Sequence, residues 1–66
     1  MNPETYQRAS NISHIIDRTE QVEAYADGVL NTAHDDDQKL LNNIKRNTNS
    51  IKSIVNKHLD NLQRQQ

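Results

Sequence analysis

Apolar residues recur along this chain in two stripes whose steps alternate between three and four residues. The first reads Ile12, Ile15, Thr19, Val22, Ala26, Val29, Ala33, and the second Leu41, Ile44, Thr48, Ile51, Val55, His58, Leu62. A mean step of about 3.5 residues is the spacing of helices that pack along a seam. Ile12 and Leu41 are taken as heptad position a, so the stripes occupy a and d. Ala33 and Leu41 are eight residues apart, one more than a heptad. An unbroken helix would carry its stripe to a new face at that point. A turn accounts for the shift and predicts an all-α antiparallel helical hairpin; one long helix with a phase shift is the alternative.

Local signals place the boundaries. Asn2-Pro3-Glu4 is a helix start: Asn caps, Pro suits the first helical position, and an acid suits the positive end of the helix dipole. Helix 1 is expected over about 3–33, the turn over about 33–36 and helix 2 over about 36–63, with 64–66 frayed, all in one domain spanning 1–66. Asp35 and Gln38 have capping-box spacing, and three consecutive aspartates suit a helix N-terminus. Gly28 falls at an outward c position, where it weakens the helix by about 1 kcal/mol relative to Ala.

Folding back at the turn brings residues whose numbers sum to about 66 or 67 face to face. Ile12 then meets Val55, Ile15 meets Ile51, Val22 meets Ile44, Ala26 meets Leu41, and Thr19 and Thr48 form one polar layer. The stripes are broader than two helices need. Ile16, Leu30 and Leu59 lie at e, and Leu40, Ile54 and Tyr25 at g. A two-position seam serves a helix pair, whereas a three-in-seven face serves a bundle. Ile16, Leu30, Leu40 and Ile54 are therefore expected to form a second contact surface. A second copy, giving a four-helix bundle, or a helix of a partner protein would cover it. Expected interface positions are thus Ile12, Ile15, Ile16, Val22, Val29, Leu30, Leu40, Leu41, Ile44, Ile51, Ile54, Val55, Leu59 and Leu62.

Composition sharpens this. Of 66 residues, 14 are Ile, Leu or Val, with no Phe or Trp. So small a core in so short a chain calls for self-association or a partner. No cysteine is present, which excludes a disulfide and fits a reducing compartment. No apolar run exceeds three residues, so neither a membrane span nor a signal-peptide core is expected, and the chain reads as cytoplasmic. Charge divides unevenly: residues 1–33 carry five acids against two arginines, and residues 38–66 carry six bases against Asp60 alone. An acidic helix beside a basic one is self-complementary. The alternative use of the basic helix is nucleic-acid contact through Lys39, Lys45, Arg46, Lys52 and Lys57, as phosphates require. No aromatic platform or helix-turn-helix spacing supports it.

Nothing in the pattern points to catalysis. His14, His34 and His58 are far apart, with no His-x-x-x-His or Glu-x-x-His pair, so no metal is expected. His58 falls in the second stripe and is expected to be partly buried. Asp35, Asp36 and Asp37 lack the glycine that turns a calcium loop. No glycine-rich phosphate loop exists. The expectation is a small non-enzymatic interaction or regulatory module acting through helix packing, without cofactor or small-molecule substrate. The alternatives are an RNA-binding helical dimer and a cover for another protein's helices.

Overall fold

The computed structural model describes residues 2–64. Two helices, α1 (Pro3–Leu30) and α2 (Asp35–Arg64), pack against each other as a hairpin, with no strand among the described residues. The start of α1 follows its sequence signals. The Asn2 side-chain oxygen accepts the Thr5 amide at 2.7 Å, Pro3 opens the first turn, and the Asn2 carbonyl accepts the Tyr6 amide at 2.9 Å. Helix 2 extends to Arg64, the last described residue; Gln65 and Gln66, expected to be frayed, lie outside the described residues.

The reversal is tighter than expected. Helix α1 stops at Leu30 rather than 33, because the Thr32 and Ala33 amides turn back to the Val29 and Leu30 carbonyls at 3.2 and 3.3 Å. Gln38 completes the stop. Its side-chain amide lies 3.4 Å from the Leu30 carbonyl and 3.2 Å from that of Ala33, meeting acceptors a helix end leaves unpaired. Gln38 is thus committed to the end of α1, and the capping box expected with Asp35 does not form. His34 takes the cap position instead: its carbonyl accepts the Gln38 amide at 2.8 Å, and its Nδ1 lies 3.5 Å from the Asp36 amide nitrogen. The three aspartates occupy the first turn of α2, as expected. No described residue has a positive φ, so the chain reverses without a glycine.

The seam is rotated relative to the a/d expectation. Buried residues lie at a: Thr5, Thr19 and Ala26 on α1, and Thr48, Val55 and Leu62 on α2. Their half-buried flankers are at e: Ile16, Glu23 and Leu30 on α1, and Gln38, Lys45, Lys52 and Leu59 on α2. Of the d positions, Ile15, Val22 and Ile51 turn outward, 47%, 49% and 40% exposed, while Val29 and Ile44 stay half-buried. His58, expected to be partly buried, is exposed as well. The cause lies in side-chain size and charge. Thr and Ala at a let the backbones approach closely, and Lys45 and Lys52 at e meet opposite charges across the helix pair, Asp27 at b and Glu23 at e.

A small seam gives a long, thin molecule. Its extents are 49 × 14 × 11 Å and its radius of gyration is 15.3 Å, against about 11 Å for a compact chain of this length. Among the described residues only Ala26, Val55 and Leu62 are buried apolar residues. Gly28 lies within α1, and a Cβ built there meets nothing within 4 Å. Gly28→Ala is therefore expected to stabilise the fold by about 0.5–1 kcal/mol, chiefly by reducing the freedom of the unfolded chain. Thermal unfolding followed by circular dichroism should show the midpoint rising by a few degrees.

Candidate functional site

The seam divides the hairpin into two unlike sides. On one side, e positions meet e and b positions and are charged near the middle. Lys52 Nζ lies 2.7 Å from Glu23 Oε1, and Lys45 Nζ lies 2.6 Å from Asp27 Oδ1. The Thr48 hydroxyl lies 2.8 Å from Glu23 Oε2 and 2.9 Å from the Lys45 carbonyl, and its single proton serves one acceptor at a time. Thr19 satisfies its own hydroxyl by donating to the Ile15 carbonyl at 2.7 Å. No buried side-chain nitrogen or oxygen among the described residues lacks a partner. Glu23, Thr48 and Lys52 form a polar lock across the seam. The Lys52 hydrogen bond, then that from Thr48, holds the Glu23 carboxyl below the ordinary carboxylate range. Glu23 in turn raises Lys52 above the ordinary lysine range.

The other side is apolar and open. Ile15, Val22 and Tyr25 project from α1, and Leu40, Ile51 and Ile54 from α2; all are classed as exposed, Ile54 at 69% and Tyr25 at 75%. Half-buried Val29 and Ile44 lie among them. Ile15 and Ile51, and likewise Val22 and Ile44, still face each other as the sequence arithmetic has it, but across open grooves. One groove of about 440 Å³ runs over Ile15, Thr19, Val22, Thr48 and Ile51. A second of about 390 Å³ continues over Val22, Tyr25, Ala26, Leu41 and Ile44. A third, of about 510 Å³, reaches the turn over Val29, Leu40 and Asp37. The two threonines of the predicted polar layer therefore lie in the floor of the first groove, with Arg18 the one charged side chain beside the central two.

The four residues expected to form a second contact surface differ in exposure. Leu40 and Ile54 are on the open side, while Ile16 and Leu30 are drawn into the seam and Ile15, Val22 and Ile51 replace them. Tyr25, read as a residue beside the seam, is a prominent feature of the open side. Tyr6 instead borders a separate depression with Leu59 and Gln63.

The basic residues named for nucleic-acid contact separate into two groups. Lys45 and Lys52 are half-buried and engaged by Asp27 and Glu23. Lys39, Arg46 and Lys57 are exposed, with Arg46 hydrogen-bonded to the Asn43 side chain. His14 lies 3.9 Å from Asp17 in an exposed pair. No group of three or more His, Cys, Asp or Glu among the described residues could hold a metal ion, and no described helix is long and apolar enough to cross a membrane. Comparison with protein-family models, curated proteins and solved structures finds no match.

The polar lock predicts a pH profile. A depressed Glu23 contributes stability that is present above about pH 4.3 and is lost as pH falls through its lowered value. A raised Lys52 contributes stability that is present below about pH 10.4 and is lost as pH rises through its raised value. Thermal midpoints should therefore hold level from about pH 5 to 10 and drop on both sides. In Glu23→Gln the acid-side drop should shrink; an unchanged acid limb would remove Glu23 from the account.

Proposed function

We propose that this chain is a non-enzymatic interaction module that works through its open d/g side, and that a second copy covers that side to form a four-helix bundle. The observation carrying this reading is the line of exposed aliphatic and aromatic side chains that the hairpin leaves beside its seam. Soluble chains seldom leave so continuous an apolar strip uncovered, and such strips mark interaction sites. Three grooves along the strip offer seats for the ridges of another helix pair.

Area supports a second copy as the occupant. The hairpin exposes 5113 Å², whereas a compact monomer of its 7.6 kDa mass would expose about 4,300 Å². The surplus of about 800 Å² is what each partner hides in an interface of standard size. A four-helix bundle built on this strip would also give the small aliphatic core the extra layer it lacks. The opposite side is polar, with Glu23, Asp27, Lys45 and Lys52 already paired, and suits water.

Sedimentation equilibrium tests the reading. The wild type should be a dimer at micromolar concentration. Val22→Asp with Ile51→Asp places a carboxylate on each wall of the central groove, and dimer affinity should fall by more than about 100-fold. Glu20→Ala with Ser53→Ala, on the opposite side, should leave the dimer intact. A wild type that remains a folded monomer at high concentration would sink the second-copy reading and point instead to helices of another protein.

A further inference from the structure

We propose that the second copy docks head to tail, with the turn of one hairpin over the chain ends of the other. This rests on the reading of the open side as a self-association surface and adds its geometry.

Two hairpins meeting face to face on a two-fold axis have two simple arrangements. With the axis along the hairpin, like ends meet and α1 lies over the partner's α2. With the axis across the hairpin, opposite ends meet, and each helix lies antiparallel to its own copy. Both arrangements make every neighbouring helix pair antiparallel, so helix dipoles do not choose between them. The groove walls are aliphatic along the middle and fit either. Charge at the two ends is what differs.

At the turn end of α2, Asp37 lies at d and Asp36 at c, both exposed. At the far end of the same helix, Lys57 and Arg64 lie at c beside His58 at d, all exposed. Among the described residues, neither aspartate has a cation within salt-bridge distance and neither Lys57 nor Arg64 has a carboxylate there, in contrast to the paired charges of the opposite side. The head-to-tail arrangement runs α2 antiparallel over α2, so these acids lie along the partner's bases twice in each dimer. The like-end arrangement puts Arg8, at d of α1, over Lys57 and His58, with only Glu4 near Arg64 to compensate. Two Arg18 side chains come level in the head-to-tail dimer. They sit at g on the outer rim, where long side chains reach water. Rim charges of this kind contribute little affinity, but they discriminate between alternatives that pack equally well.

The chain has no cysteine, so a single spin label at Asn31→Cys, in the exposed turn, reports the geometry of the intact dimer by pulsed dipolar spectroscopy. Asn31 lies about 20 Å from the middle of the hairpin at 1.5 Å per residue. Head-to-tail docking predicts a label separation near about 40 Å, and like-end docking one below about 25 Å. Charge reversal supplies an independent arm. Asp36→Lys with Asp37→Lys should weaken the dimer about tenfold, and adding Lys57→Glu with Arg64→Glu should restore it. Those added changes place acids at the C-terminal end of α2, where the helix dipole disfavours them, so recovery cannot arise within one copy. A dimer with a short label separation, or with no recovery, overturns the orientation and leaves self-association standing. A monomeric wild type overturns both.

Discussion

Small side chains at the a positions and opposite charges at the e and b positions set the rotation of both helices, and the division of the hairpin into two sides follows from that rotation. Thr5, Thr19, Ala26 and Thr48 bring the backbones close. Glu23 with Lys52, and Asp27 with Lys45, close one side of the contact. Had the helices turned by the angle between e and d, Ile15, Val22 and Ile51 would lie inside and those charges would face water. The observed rotation instead pairs the charges within one chain and leaves the branched aliphatics unpaired.

The consequence is a division of labour between two sides. The polar side is satisfied in one copy: Glu23, Asp27, Lys45 and Lys52 have partners, and the Thr19 and Thr48 hydroxyls have acceptors. A half-exposed ion pair contributes little to stability on its own, so the lock matters more for rotation and register than for strength. The apolar side is incomplete in one copy. Burial of aliphatic surface is worth about 25 cal/mol per Å², and the hairpin forgoes much of it along that strip. In the proposed bundle, association and completion of the core are one event, which is the usual solution for chains too short to enclose a core.

Much of this was legible in the residues. Asn2, Pro3 and Glu4 announced the first helix, and the three aspartates announced the second. The eight-residue gap between Ala33 and Leu41 announced the turn. The Thr19 and Thr48 level also followed from numbering alone. The breadth of the stripes correctly implied more apolar surface than two helices can enclose. The role of Gln38 was not legible, because its acceptors at Leu30 and Ala33 come within reach only once the chain has reversed. The half-burial of Ile16 and Leu30, and the exposure of Ile15 and Val22, were also missed. Charged e positions facing one another were the available signal, since Glu23 and Lys52 occupy equivalent places in their heptads.

By itself the sequence determined that the chain is helical, where it turns, and that apolar residues flank the a positions on both sides, at e and at d and g; three of these, a, d and e, compete for the seam. Hydrophobic periodicity and caps act within a few residues and are readable in one dimension. Which two of those three positions one copy keeps for itself was decided only by tertiary packing. The d and e positions stand on opposite shoulders of a, so a linear pattern treats them alike. Close approach over Thr and Ala, with charge pairing between residues more than fifteen apart in the chain, broke that tie.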